Sequence, residues 1–219
     1  MSSDRIIHHP SSLINGKALF LVLDGPDGCG KSSQSRMLMD WLVGRGVEAV
    51  GFRDPGTTTI GEKIREILLS PAHDAMTAPT EVLLYMAARA QLWSERIAPA
   101  LQAGRCVVLD RWLSSTCAYQ GYAGGFGVEK VIDIANDTLE RVWPDLTIIL
   151  DVDLKTASQR LDRELDRMEQ KGDGYHTRVR EGFLKLAEGR PGFAVVDAAA
   201  SPEAVHNAVV AVVEKALGL

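Results

Sequence analysis

The stretch Gly25 to Ser32, GPDGCGKS, has the residue types and spacing of a phosphate-binding loop: glycine, four residues, glycine, lysine, serine. Glycines let the chain turn so that successive backbone N–H groups converge on one anion. A helix opening directly afterwards adds unpaired N–H groups and the positive end of its dipole. Lys31 has the length to reach outer phosphates, and the Ser32 hydroxyl suits Mg²⁺. The pattern carries meaning only between a strand and a helix. Here the apolar run Ala18–Leu23 closes on Asp24 before it, and the helix-like stretch Ser33–Val43 follows. A glycine-rich turn that merely contains a lysine would lack those flanks. Gly25, Asp27, Gly28, Cys29, Gly30, Lys31, Ser32 and Ser33 are therefore the residues expected around a nucleoside triphosphate.

Further along, chemistry-bearing residues follow the ends of apolar runs. Asp110-Arg111-Trp112 ends one run; a carboxylate beside a phosphate loop suits a Mg²⁺–water partner, and the adjacent guanidinium suits a bidentate grip on phosphate. A structural Asp–Arg pair capping the next helix is the competing reading. Arg53-Asp54-Pro55-Gly56 ends another run and reads as a substrate-facing turn, with Arg65 beyond it as either a solvated helix residue or an anion ligand. Tyr85, Arg89, Leu92 and Arg96 share one helix face, which fits a ring stacked on a flat base or an arginine snorkelling from a packed helix. Thr116, Tyr119 and Gln120 can each hydrogen-bond a base or sugar, and Gly121, Gly124, Gly125 and Gly127 suggest a mobile loop. Arg160, Arg163 and Arg167 recur at three and four residues among acids, either as a salt-bridged exposed helix or as the arginine face of a lid that excludes water.

The elements that must hold these groups alternate. Strand-like runs at Ala18–Asp24, Val47–Arg53, Cys106–Asp110, Leu146–Val152 and Phe193–Val196 are separated by helical periodicity at Ile60–Leu69, Thr80–Ala103, Val128–Trp143, Leu154–Glu169, Tyr175–Glu188 and Pro202–Leu217. Continuous apolar strands suit a parallel sheet buried on both faces. The expectation is a three-layer α/β fold: a five-stranded parallel sheet, helices on both faces, right-handed crossovers and a lid segment. In such sheets ligands lie beyond the carboxyl ends of the strands, where the residues above fall. Residues 1–17 are expected as a loose tail and 18–219 as one domain with a lid at about 160–174.

Over 219 residues the composition is that of an ordinary globular chain, 46% hydrophobic and 24% charged. The net charge of −5 argues against a sequence-independent nucleic-acid binder. No apolar run reaches membrane-spanning length and the start lacks a signal-peptide core, so a cytoplasmic location is expected. Cys29, Cys106 and Cys117 have no metal-type spacing and read as reduced thiols; the His8–His9 pair reads as solvated.

The ordered set of segments resembles the thymidylate kinase family. After the phosphate loop come Asp54-Pro55-Gly56 with Gly61-Glu62, Tyr85-Met86-Ala87-Ala88-Arg89 with Gln91-Leu92, and Asp110-Arg111 with Ser115 and Ala118-Tyr119-Gln120. Pro144-Asp145-Leu146-Thr147, Leu165-Asp166-Arg167-Met168-Glu169, Tyr175-His176 with Arg178-Val179-Arg180, and Val196-Asp197-Ala198 complete it. The resemblance spans about residue 18 to the end and implies transfer of the ATP γ-phosphoryl group to dTMP with Mg²⁺, in a homodimer. It implies that Asp27 meets the acceptor nucleotide, that Tyr85 stacks on thymine, and that Arg89 and Thr116 read its edge. It sets Tyr119 against the deoxyribose, with Gln120 beside it, gives Arg65 and Arg111 the acceptor phosphate, and includes Asp54 and Pro55 in the acceptor site. The family divides by whether its catalytic cation sits in the phosphate loop or in the lid. Gly28 occupies the loop position here, so the chain resembles the bacterial lid-arginine branch, with Lys31, Arg111, Arg160 and Arg163 as the catalytic set, Arg160 also toward ATP, and Ser32 and Asp110 toward the metal. Asp54 and Thr57 stand where the family usually has Glu and Gly. A deoxynucleoside kinase and a non-catalytic nucleotide-binding relative are the alternatives; Arg65 disfavours the first, and the presence of Lys31, Asp110 and Arg111 disfavours the second.

Overall fold

A computed structural model describes residues 18–161 and 164–217. Its framework is a five-stranded, all-parallel sheet of β1 (Phe20–Asp24), β2 (Ala49–Arg53), β3 (Cys106–Asp110), β4 (Leu146–Asp151) and β5 (Phe193–Asp197), in the order β2-β3-β1-β4-β5. The central strand β1 is buried at every position, whereas edge strands β2 and β5 are partly exposed. Alternation splits the core in two. Leu19, Leu21 and Leu23 pack with Leu38 and Leu42 of α1 (Lys31–Gly44) and Val209 and Val213 of α9 (Pro202–Leu217). On the opposite face, Phe20 and Val22 meet Val82, Met86 and Leu92 of α3 (Ala78–Leu92) and Val131 of α6 (Val128–Thr138).

The register aligns the carboxyl ends. Leu23 lies beside Asp110, Arg53 beside Asp110, and Asp24 beside Ile149. Asp24, Arg53 and Asp110 therefore end their strands along one rim, as the sheet rule requires. The carboxylate–guanidinium pair of Asp151 and Arg180, at 2.7 Å, ties the end of β4 to α8 (Asp173–Ala187) on the same rim.

Four helical expectations change. The first helix begins at Lys31, two residues early, because the loop lysine already lies in its first turn. The long helix Thr80–Ala103 is broken by a wide π turn, Trp93–Ile97, before α4 (Ala98–Gln102). Pro99 lacks the N–H that would continue the ladder, and the wide turn absorbs the mismatch. The helix expected over Val128–Trp143 ends at Thr138, whose hydroxyl turns back onto the Ile134 carbonyl at 2.6 Å. The helix expected over Leu154–Glu169 is the short α7 (Leu154–Gln159). Arg160 and Arg167 thus do not share a helix face, and Arg163 lies outside the described residues. The tail 1–17, with His8 and His9, is also outside them.

A third cluster supports the rim. Phe183 of α8 is fully buried with Ala118, Tyr119, Ile149, Met168 and Val179, its ring edge-on to Tyr119 at 6.0 Å. Phe183→Ala leaves a cavity directly beneath the cleft and should cost about 3–5 kcal/mol; urea denaturation followed by circular dichroism checks this.

Candidate functional site

Along the rim a cleft of about 520 Å³ opens above β1 and β3. The phosphate loop forms its floor. Gly25, Gly28 and Gly30 all have positive φ, and Gly30 starts α1 without any side-chain cap. The first N–H groups of that helix are thus left facing the cleft, as an anion site needs. Lys31 is buried, and its ammonium donates to the Pro26 carbonyl at 2.7 Å and to Cys29 Sγ at 3.5 Å. Burial pushes the Cys29 thiol up despite Lys31, so this cysteine is a packing residue of the loop. Ser32 Oγ donates to Asp110 Oδ2 at 2.5 Å, so the two residues expected to face a metal meet at one point.

Asp24 ends β1 fully buried and organises the opposite wall. One oxygen accepts from Gly25 N at 2.9 Å and the Ser115 hydroxyl at 2.6 Å; the other accepts from the Ser114 hydroxyl at 2.5 Å. These serines open α5 (Leu113–Thr116). Arg111, at φ 69° in the left-handed region, turns its guanidinium back over the loop. It donates to the Gly25 carbonyl and to the Ser115 hydroxyl, each at 2.9 Å, and pairs with Asp27. Tyr119 lies in a second wide helical turn, Cys117–Ala123, donates to the other Asp27 oxygen at 2.6 Å, and stands under the Arg111 guanidinium. Burial works to raise the Asp27 carboxyl, but Arg111, Lys31 and the Tyr119 hydroxyl outweigh it and hold Asp27 below its ordinary value.

The next wall comes from the turn after β2 and the helix that follows, α2 (Thr59–Leu69). Glu62 explains the Gly61-Glu62 motif: its carboxylate accepts from Thr57 N at 2.6 Å and pairs with Arg53 at 3.0 Å, closing the turn. Asp54 and Arg89 form a fully buried ion pair at 2.6 Å. Burial pushes the Asp54 carboxyl up, opposed by Arg89. The same guanidinium donates to Thr116 Oγ1 at 3.1 Å and to the Trp112 carbonyl at 3.2 Å, while its Nη1 points at Met86 Sδ at 3.4 Å. Arg89 and Thr116 thus come together, with most donors of Arg89 held by protein. Arg65 donates to the Pro55 carbonyl at 3.1 Å, and among the described residues no carboxylate lies within ion-pair distance of it. Burial, then repulsion from Arg53 and Arg111, holds its pKa below the ordinary arginine value. A crowded cation without a carboxylate partner is suited to receive an anion.

The far end is bounded by α7 and the loop after β5. A Cβ on Gly28 would lie 2.3 Å from the Ala157 carbonyl oxygen, so this loop position has no room for a side chain. Arg160, at the end of α7, donates to the Ala198 carbonyl at 2.8 Å and the Ala199 carbonyl at 3.1 Å. Arg167 is buried and turned away from the cleft, onto Glu81 at 2.6 Å and the Leu68 carbonyl at 2.8 Å.

Of the residues expected from sequence, Asp27, Gly28, Cys29, Gly30, Lys31, Ser32, Ser33, Asp54, Pro55, Arg65, Tyr85, Arg89, Asp110, Arg111, Thr116, Tyr119, Gln120 and Arg160 all line the cleft. Gly25 sits behind it. Sequence reading missed the role of Asp24 as the wall's anchor; the Ser114-Ser115 pair beside Arg111 was the available sign. It also missed Leu69, Met168 and the Ala198–Pro202 turn, which enter only through tertiary folding.

Known proteins resemble this chain over most of its length. The family profile described as Thymidylate kinase matches residues 23–209. A thymidylate kinase of Thermoanaerobacter sp. (strain X514) is 39% identical over 203 residues, 92% of this chain and all of that protein. One from Exiguobacterium sibiricum is 42% identical over 191 residues, covering 86% and 90%. The crystal structure of thymidylate kinase from Ehrlichia chaffeensis superposes with a TM-score of 0.75 at 28% identity, over 90% of this chain and 99% of that one.

Because Asp27 is held below its ordinary value of 3.8, its contribution to stability is complete above that pH and is lost as pH falls through the lower folded value. Asp27→Asn should lower the melting temperature at pH 7, by removing the closer of the two carboxylates that pair with Arg111, the other being Asp24 at 3.5 Å, and should flatten the further fall below pH 4. Melting temperature against pH for both proteins measures this.

Proposed function

The chain belongs to the thymidylate kinase family, and on that premise we infer that its cleft transfers the γ-phosphoryl group of ATP to dTMP, giving dTDP and ADP. The acceptor is a phosphate already anionic at neutral pH, so little proton transfer is needed; two polyanions must be brought in line while their repulsion is offset. The phosphate loop and Lys31 hold the ATP phosphates, with Arg160 and the Ala198–Ala200 backbone bounding the nucleoside end. Arg65 and Arg111 grip the acceptor phosphate. Tyr85 stacks on the base and Thr116, backed by Arg89, meets its edge; Tyr119 and Asp27 face the sugar.

The observation that carries the reading is Arg65: a half-buried cation with no carboxylate partner among the described residues, opposite the phosphate loop. A sugar-hydroxyl acceptor would leave that charge unanswered, whereas a monophosphate answers it. The metal fits as well, since Ser32 Oγ and Asp110 Oδ2 meet beside the loop. Mg²⁺ held there with ATP would neutralise charge on the outer phosphate oxygens. With Gly28 barred from bearing a side chain, the remaining transition-state cation comes from the lid, about residues 160–174, where Arg160 and Arg163 are the choices. The same reading takes residues 18–219 as one kinase domain. Cys29, Cys106 and Cys117 are buried and form no disulfide with one another, in keeping with a reducing cytoplasm, and no described helix is long and apolar enough to cross a membrane.

Ile60 and Ile67, two turns apart on α2, and Leu83 on the adjoining α3 are exposed apolar side chains. We assign this face to a homodimer contact. Sedimentation velocity should give a species twice the 23.8 kDa chain mass, and Ile67→Glu should shift it to monomer.

A coupled ADP-release assay with ATP, Mg²⁺ and each deoxynucleoside monophosphate in turn should run fastest with dTMP. Arg111→Ala should reduce its turnover at least a hundredfold, roughly 2.7 kcal/mol of barrier. Turnover on thymidine but not dTMP overturns the acceptor assignment.

A further inference from the structure

Glu81 lies one helical turn before Tyr85 on α3 and is nearly fully buried, at 3% exposure. Its carboxylate binds three donors from two other parts of the chain. Arg167 Nη1 reaches one oxygen at 2.6 Å and Lys171 Nζ reaches the same oxygen at 3.3 Å; Gln120 Nε2 reaches the other at 3.0 Å. Arg167 is fixed further by its Nε on the Leu68 carbonyl and by its backbone N–H on the Leu69 carbonyl at 3.0 Å. Its neighbours Asp166, Met168 and Glu169 line the cleft while Arg167 itself points the other way. Arg167 is therefore the peg by which the returning arm of the lid is pinned to α2 and α3.

The chemistry at Gln120 is more specific. An ionised carboxylate only accepts hydrogen bonds. Burial works against the Glu81 charge, but the Arg167 and Gln120 hydrogen bonds and Lys171 outweigh it and keep the carboxyl below its ordinary value. The Gln120 amide must then turn its NH₂ to Glu81, leaving its carbonyl oxygen as the group offered to the cleft that Gln120 lines. A carbonyl there suits a base with a ring N–H between two carbonyl carbons, as in thymine or uracil, and opposes cytosine, whose equivalent nitrogen is an acceptor.

We propose that Glu81 is a positioning residue for base selection: it pins the lid's returning arm through Arg167 and, by fixing the Gln120 amide, makes the acceptor end of the cleft favour imide bases over cytosine. This rests on the acceptor assignment above. The test uses the full chain and titration calorimetry, which needs no turnover, with dTMP, dCMP and ATP as probes. Glu81→Gln can donate as well as accept and so releases the amide. It should weaken dTMP binding roughly tenfold or more and narrow the dTMP-over-dCMP preference, with ATP affinity kept within about threefold. Gln120→Leu spares the Glu81–Arg167 pair, carries the same test if Glu81→Gln does not fold, and should narrow the preference likewise. In the double variant the losses of dTMP-over-dCMP preference should not multiply, because both variants act on base choice through one amide. A preference for dTMP unchanged in Gln120→Leu, equal weakening of dTMP and ATP in Glu81→Gln, or preference losses that multiply would each overturn the proposal. A wild-type chain that binds dCMP and dTMP alike overturns it too, and one that binds neither overturns the acceptor assignment with it.

Discussion

A buried carboxylate at the tip of the central strand holds the two sides of the cleft in one frame. Asp24 takes an N–H from the start of the phosphate loop and hydroxyls from the two serines opening α5. Charge inside a fold is costly unless each lone pair is answered, and here the answering groups come from either side of the cleft. The phosphate loop and the turn that carries Arg111 are thereby kept at a fixed separation. Arg111 then closes the circle through the Gly25 carbonyl and Asp27. Preorganisation of this kind matters because the reaction needs little bond-making help from protein groups and much placement.

Around that frame most positive groups fall into two kinds, with Arg111 spanning both because it pairs with Asp27 while lining the cleft. Arg89, Arg167 and Arg180 have carboxylate partners and serve as structural pegs. Among the described residues, Lys31 and Arg65 meet backbone carbonyls or sulfur and no carboxylate, which leaves their charge open to the anion proposed above. The distinction is invisible in composition, where all five count alike. It emerges only once the carboxylates Asp54, Glu81 and Asp151 are seen to be spoken for.

The fold was legible in the sequence because five short apolar runs, the inner three almost wholly buried, alternate with helical periodicity. The phosphate loop, Asp110 and Arg111 were legible because local spacing alone carries them to the strand ends. Lid arginines were not. The three- and four-residue spacing of Arg160, Arg163 and Arg167 matches a helix, yet α7 stops at Gln159 and Arg167 turns inward to a carboxylate 86 residues away in sequence. No local pattern reports such a partner. Likewise Glu81 reads as an ordinary first-turn acid of α3, and its service to Gln120 depends on a wide helical turn that periodicity does not predict.

The close approach of the Ala157 carbonyl to Gly28 bears on how this architecture could change over time. Placing a positive side chain in the nucleotide cradle, rather than in the flap as proposed above, would require the backbone of α7 to retreat before any larger residue could be accepted there. No single codon change achieves both. The two arrangements are thus separated by intermediates that crowd the cradle without yet gaining a useful charge, and lineages that adopted one would be expected to keep it.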